Sequence, residues 1–462
     1  MIVIITYQDL LAVGDDEQKR AEFVYDLVSE HKNGDEYKTA VIADKYNARK
    51  NVTISEYKNL LYTITGEVTV DNYSANYKLP SNFLNRFVTQ ENQYLLGNGV
   101  TWNEDSTAKK LGNNFDIRLQ KAGRAALLHG VSFLFWNYDH VEVFKLTEFV
   151  PLFDEEDGAM KAGVRFWQID NLKPLRATLY ELDGYTEYIW RTGTDYEILQ
   201  PKRGYIARTR QSVAEGLEIY DYMNYPAFPI VPLWGNPERQ SELVGIREGI
   251  DCYDLIKSGF ANDIDDASLI YWTINNAGGM DDVDLVEFVN HMRRVKAAVV
   301  SDDGASAESH TIDVPYASRE AILDRLRSDL YEDYMALDTK NIADGAVTAT
   351  QIQAAYEPLN EKADMYEGCI HECLESLLAI VGIEDNATFT RSAVVNKQEE
   401  IQNVINGAEY LSNEYVTKKI LTILGDIDMA DDVLEQIVTE NDTMPIMSSN
   451  KQREEQEEVT EE

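Results

Sequence analysis

Cys369, His371 and Cys373 fall within five residues, CIHEC, and positions four apart share one face of a helix, so this is the set in the 462-residue chain closest to metal-ligand spacing. A structural metal site needs a fourth ligand and none lies nearby, so the cysteines read as small apolar packing inside a helix. Asp281, Asp282 and Asp284 resemble the start of a calcium loop but lack the glycine that such a loop needs at its sixth position. His129 and His140 stand at strand borders with no acid and nucleophile at useful spacing, and read as structural. Trp136, Trp167 and Trp190 alternate on strands and read as filling a sheet face rather than stacking a sugar or a base. The chain holds no phosphate-cradling glycine loop with lysine, no Gly-x-Ser-x-Gly elbow and no HExxH, so no cofactor, metal or catalytic residue is expected.

Composition points the same way. With 42 Lys plus Arg against 81 Asp plus Glu, the net charge is −39, which repels nucleic acid and excludes tight gripping of its backbone by a basic patch. A halophile's solvation coat is the blander account of that charge. Hydrophobic residues at 44% and aromatics at 10% exclude disorder over most of the length, which suffices for two or more domains. Three cysteines are an odd count that fits no disulfide framework and agrees with folding in a reducing cytoplasm. The apolar start MIVIITYQ is too short for a signal peptide, and no run approaches the roughly 18 apolar residues of a membrane span.

The elements that position these residues are organised around 318–381. A helix capped by Ser318 sets Ile322, Leu326, Leu330, Tyr334 and Leu337 on one stripe. DTKNIADGAVTAT, from Asp338 to Thr350, then reads as an exposed loop with a hinge at Gly345. Helical period resumes from Gln351 to Val381, where Pro358 removes an amide donor and should kink the helix. Upstream, helices are expected over 7–32 (broken near 14–18), 37–51, 80–100 and 115–130. A period of two follows, predicting an antiparallel meander from 131 onward and hence an α+β domain. Four prolines between 226 and 237 enforce extended chain before a helix over 243–267 of about 37 Å. Its polar face carries Arg247 and Lys257 against Glu248, Asp251, Asp254, Asp263, Asp265 and Asp266, and reads as solvated or facing a water-filled channel. Residues 268–316 read as a small α/β insertion, with strands at 269–274 and 297–300, a helix over 282–292 and the loop DDGASAES. A strand at 388–395 and a helical set over 397–440 precede an acidic tail from Met447 with six glutamates, expected to be disordered.

Taken with its surroundings, the run DGAVTATQIQAAYEPLNEKADMYE resembles the tunnel-loop and kinked-helix segment of tailed-bacteriophage portal proteins of the Gram-positive siphophage type. So do DKYNARKN, PSNFLNRFVTQENQYLLGNGV, the helix-glycine-strand series from Phe115, and the proline-rich strand, asparagine turn and helix from Tyr225 to Ala267. The resemblance covers roughly 7–440 and lies in the order of the segments. It implies a portal fold: wing over 1–242, stem helix one over 243–267, clip over 268–316 and stem helix two over 317–337. The tunnel loop would be 338–350, the kinked wing helix 351–386, a strand returning to the wing 387–396, a helical crown 397–446 and the tail 447–462. By the same resemblance Lys340, Asn341, Asp344, Gly345, Val347, Thr348 and Thr350 face DNA in the tunnel. The loop reads DGAVTAT where the family would have a serine before the glycine and a lysine soon after.

The implied protein is not an enzyme. It is a homo-oligomeric ring, of twelve copies in this family, at one capsid vertex of the virion, assembled in the host cytoplasm. The terminase large subunit would drive double-stranded DNA through it non-specifically, and a head-to-tail connector or adaptor, the major capsid protein and scaffolding protein would be its other partners; no membrane is implied. Twelve copies carry 12 × −39, or −468 formal charges, a sign that lets DNA slide without sticking. For His291, Arg293, Arg294 and Lys296, one of few basic clusters, a partner contact at the clip and plain solvent exposure are both open. The alternatives are a soluble acidic carbohydrate-active enzyme using paired carboxylates, and an α+β scaffold without a central hole.

Overall fold

The computed structural model describes residues 5–62, 66–71, 74–112, 114–170, 172–192, 195–212, 216–267, 271–275, 306–310, 316–340, 349–392, 397–424, 430 and 433–437. The chain is α+β and divides into two compact units, one of Met1–Asp338 with Glu357–Arg391, the other of Thr339–Tyr356 with Ser392–Glu462.

The first unit opens with α1 (Tyr7–Val13) and α2 (Glu17–Asn33), the latter capped by the Asp16 carboxylate accepting from the amides of Gln18 and Lys19. α3 (Asp35–Asn47) stops short of the expected 51, because Arg49 sits at a φ of 57° that no helix tolerates, and α4 (Val52–Glu56) follows. β1 (Leu60–Tyr62) and β2 (Val68–Val70) make a small antiparallel pair. α5 (Phe83–Leu96), β3 (Val100–Trp102), α6 (Asp105–Leu111) and α7 (Phe115–His129) come next. α7 ends at Gly130, whose φ of 87° is the left-handed cap that glycine accepts without strain.

After that glycine the chain alternates, as its period of two requires. β4 (Val131–Asn137) and β5 (His140–Lys145) form a hairpin, and β6 (Phe149–Phe153), β7 (Met160–Trp167), β8 (Leu175–Glu181), β9 (Gly184–Thr192) and β10 (Asp195–Arg203) form a five-stranded antiparallel meander in sequence order. Among the described residues β11 (Ile206–Ser212) and β12 (Gly216–Met223) pair only with each other, whereas β13 (Ile230–Trp234) returns to β4. The meander buries one face under α1 and α2, through Leu10, Val24 and Leu27 against Val164, Leu179 and Trp190. Trp136 and Trp190 are buried in these sheets as expected, but Trp167, at the end of β7, is half exposed under the Arg165 guanidinium.

The second half of this unit holds α8 (Arg247–Ala267), the pair β14 (Tyr271–Asn275) and β15 (Ser306–His310), and α9 (Tyr316–Tyr334). α8 begins four residues later than its apolar stripe suggests, since Gly245 has a φ of 92° and the chain turns there. α9 begins before Ser318 and ends before Leu337, so that serine is inside the helix rather than its cap. β15 occupies part of the run expected to be a loop; Ser, Ala and Glu have little strand preference, and pairing with Tyr271–Asn275 supplies the order instead.

α10 (Ala349–Val381) runs as one helix with Pro358 inside, belonging to the second unit up to Tyr356 and to the first from Glu357. It carries Tyr366, Ile370, Leu374 and Leu377 into the main core with α5 and α7. β16 (Ala387–Phe389) pairs with β3, not with the five-stranded sheet. The reason is local: the Asp385 carboxylate takes the amides of Asn103 and Glu104 and the Thr107 hydroxyl, which pins this chain beside 100–102. In the second unit α11 (Lys397–Asn406), a 3-10 turn (Ala408–Tyr410) and α12 (Asn413–Leu424) form a helical set. The acidic tail lies outside the described residues.

Candidate functional site

α8 and α9 pack side by side. Leu330 touches the bare Cα face of Gly249, and Arg319 pairs with Asp263 while its guanidinium lies over Phe260. Contacts that run 249 with 330 and 263 with 319 make the two helices antiparallel. At about 1.5 Å per residue, the 21 residues of α8 span about 31 Å.

The polar face of α8 is not solvated along its length, contrary to the sequence reading. Asp254, Ser258 and Asn262 are all buried. Asn262 Oδ1 accepts from the Tyr77 amide (2.6 Å), Ser258 Oγ from the Leu79 amide (3.0 Å) and Asp254 Oδ1 from the Ser81 amide (2.8 Å). The match is geometric: two residues of extended chain advance about 6.6 Å and four residues of helix about 6 Å, so alternate amides of 77–81 meet every fourth side chain of α8. Pro80, which has no amide hydrogen, falls on the out-of-step position. Asn51 Nδ2 also donates to Asp254, and Tyr46 and Thr53 donate to Asp251. Burial raises the Asp254 pKa above the ordinary carboxylate value, against the pull of its bonds to Asn51 and Ser81.

A second polar set holds the ends of the chain on either side of 339–356. Gln90 on α5 acts as a surrogate backbone for Leu337, its Nε2 donating to the carbonyl (3.0 Å) and its Oε1 accepting from the amide (3.1 Å). Arg327 forks onto Asp338 with bonds of 2.7 and 2.6 Å. Glu91, 1% exposed, accepts from the Tyr334 hydroxyl at 2.6 Å. Lys362, on α10, lies 3.8 Å from Glu91, 2.5 Å from Glu242 and 3.6 Å from the Tyr334 ring centroid. Tyr366 donates to Asn92 (3.1 Å) and Tyr94 to Asn360 (2.5 Å). Residues 90 and 91 of one helix therefore grip the chain where it leaves the first unit, while 91, 92 and 94 grip it after it returns. Burial pushes the Glu91 carboxyl up to about 8, Lys362 working against that shift and Glu242 adding to it.

Of the expected tunnel residues, Lys340 is described and exposed, and Thr350 lies in the first turn of α10. Asn341, Asp344, Gly345, Val347 and Thr348 lie outside the described residues, as do His291, Arg293, Arg294, Lys296 and the aspartates at 281, 282 and 284. Cys369 and Cys373 are half-buried and buried on α10, with His371 against Glu367 and Phe389; no cluster able to hold a metal occurs among the described residues. His129 is a buried partner of Asp44 at 3.0 Å, and His140 bonds Asp139 at the β4–β5 turn. The paired carboxylates of the enzyme alternative have a counterpart in Glu91 and Glu242, but Lys362 bridges them and Glu91 is out of reach of a sugar. Sequence reading missed Asn51, Gln90, Glu91 and Lys362; a polar i, i+4, i+8 series at 254, 258 and 262 was the available signal for the first of the two networks. Among the described residues no helix is long and apolar enough to cross a membrane.

Two long antiparallel helices bracketing an inserted segment, and a small-residue run leading into a 33-residue helix, define a phage portal protein of α+β fold. The chain belongs to the family described as phage portal protein, SPP1 Gp6-like, which matches residues 42–444. It is similar to the portal protein of Bacillus phage SPP1, 23% identical over 393 residues that span 77% of this chain and 74% of that one. The portal protein of Clostridium phage phiCD119 is 26% identical over 187 residues, 38% of this chain and only 41% of the relative. Among solved structures, the neck of an empty GTA particle determined with C6 symmetry aligns over 74% of this chain and 90% of the other, at 12% identity and a TM-score of 0.44. The virion of a native gene transfer agent aligns over 73% and 89%, at 11% identity and a TM-score of 0.42.

Proposed function

We propose that copies of this chain close into a ring at a single capsid vertex and form the conduit through which double-stranded DNA is packaged and ejected, without catalysing a reaction themselves. The observation that carries the reading is the antiparallel α8–α9 pair inside a chain matched to the portal family over most of its length. Ile264 and Ile322 on the predicted apolar stripes of that pair, and Tyr316 at the start of α9, are 45–51% exposed in the lone chain, surface that a neighbouring copy would cover. In this reading α8 and α9 are the stem, 268–316 the clip, 338–350 the tunnel loop, 1–242 with 351–396 the wing and 397–446 the crown. Twelve is the proposed copy number. The terminase large subunit and a connector or adaptor would dock at the clip, with His291, Arg293, Arg294 and Lys296 as contacts, and capsid and scaffolding proteins around the wing. The charge of −39 per chain suits a channel that DNA traverses without adhering.

Negative-stain imaging of the purified protein is expected to show rings with a central hole. A homogeneous 52.5 kDa particle under all assembly conditions refutes the reading. Gly345→Trp is expected to leave rings intact while reducing the DNA content of particles; full heads from that variant would remove the loop from the mechanism.

A further inference from the structure

The pair Gln90–Glu91 touches both ends of the chain's excursion through 339–356, yet the expected tunnel residues include neither. Departure is marked by Leu337 on Gln90 and Tyr334 on Glu91; return is marked by Lys362 beside the same Glu91. Nothing in the helical period of α5 requires polar residues here: Glu91 and Asn92 are buried among Phe87, Val88 and Leu95. A glutamate in that place costs stability unless a hydrogen bond or a counter-ion compensates.

The compensation is incomplete in a specific way. Glu91 faces the Tyr334 hydroxyl from α9, the Lys362 ammonium and the Tyr366 ring from α10, and Glu242 from the turn ahead of α8. The single ammonium is shared between the two glutamates, at 2.5 Å from Glu242 and 3.8 Å from Glu91, and so neutralises only one carboxylate. Two ionised carboxylates would leave this buried set one negative charge in excess. A cavity of about 150 Å³, lined by Glu91, Ser241, Glu242, Met335, Lys362 and Tyr366, borders it and offers water a way in.

We propose that Gln90 and Glu91 are positioning residues for the segment 339–356, forming a staple that fixes where the chain leaves and where it returns, and that the staple loosens at both ends together when Glu91 loses its proton. The neutral acid keeps the Tyr334 bond without the excess charge, so the fastened state is the protonated one. An ionised Glu91 loses more by burial and by its proximity to Glu242 than the Tyr334 and Lys362 contacts return, so ionisation favours opening of the set to water through the adjoining cavity, which frees both contacts at once. Use of the staple to set a DNA-facing loop rests on the portal reading; the staple itself does not.

The test is hydrogen exchange on the full-length protein from pH 6.5 to 9.5, normalised for intrinsic amide chemistry. In the wild type, protection of 330–338 and of 358–366 is expected to fall together from pH 6.5 to about 8, by up to about tenfold per pH unit, and to level off above that. Glu91→Gln keeps the shape and cannot ionise, and its protection is expected to be level across the range. Tyr334→Phe removes a bond that favours the carboxylate, so its transition should move to higher pH. A merely structural pair would lower protection equally at every pH. A Glu91→Gln profile that still falls like the wild type, a Tyr334→Phe transition that stays in place, or two ends that respond separately overturns the proposal. Ring imaging tests the portal reading independently, so failure of one does not disguise failure of the other.

Discussion

Asp254→Ala is expected to lower stability by about 2–6 kcal/mol, because it strands two donors that burial has removed from water, the Ser81 amide and one hydrogen of the Asn51 side-chain amide, at about 1–3 kcal/mol each. The damage should be local at first. Residues 74–82, held to α8 by three alternate amides, would become sensitive to limited proteolysis before the rest unfolds. Asp254→Asn is the informative control. The side-chain oxygen retained at position 254 keeps the Ser81 amide, but the side-chain nitrogen that this substitution introduces faces the Asn51 amide nitrogen, and turning Asn51 over to accept from it gives up the bond from Asn51 Nδ2 to the Ser81 carbonyl. That variant is expected to lose about 1–2 kcal/mol at pH 7, less than Asp254→Ala because one of the two donors stays satisfied. Its pH dependence should differ in sign-defined fashion. Burial raises the folded pKa of Asp254, so the native state holds an extra proton between the unfolded and folded values, and this group's contribution declines as pH rises across that window. Asparagine lacks the slope. Urea midpoints for the three proteins from pH 3.5 to 7 decide the matter; equal midpoints for Asp254→Ala and the wild type would show that the amide series contributes nothing.

Gly123→Ala is expected to be the next most damaging single change, at about 2 kcal/mol, although alanine is the better helix former by about 1 kcal/mol. A Cβ at 123 would lie 1.9 Å from the Tyr366 hydroxyl oxygen, 2.7 Å from Asn92 Oδ1 and 3.0 Å from Leu96 Cδ1. None of these has room to retreat, since Tyr366 and Asn92 are buried and bonded to each other where α5, α7 and α10 meet. Propensity gains a little and overlap loses more, so the sign is destabilising. Tyr366→Phe removes the atom of closest approach, and the double variant should recover more than half of the loss. Strict additivity of the two changes in thermal unfolding would mean that the overlap is not the cause.

How much was legible depends on the range of the interaction concerned. α5 and α7 were readable from their apolar stripes and glycine ends, and β4 to β10 from a period of two between turn signals, although β4 and most of β8 are buried on both faces and alternate less than that reading supposes. The portal family was legible too, through the order of segments. The start of α8 was misread because apolar residues at 243 and 246 continue the stripe into a turn that Gly245 creates. The acidic face of α8 was misread for a deeper reason. Asp254 and Asp265 look alike along the chain, yet one is enclosed by residues about 200 positions away and the other faces water.

By itself, then, the sequence determined the long helices, the strand meander and the acidic character of the chain, all of which follow from side-chain period and charge and need no distant partner, while the order of its segments carried the family resemblance. Only the tertiary structure decided that an irregular run at 77–81 would satisfy its amides on α8, and that Gln90 and Glu91 would meet Leu337 and Tyr334 before 339–356 and Lys362 after it. Such contacts join residues more than 170 positions apart, and a buried polar group acquires its role from whichever donor or charge the fold delivers to it.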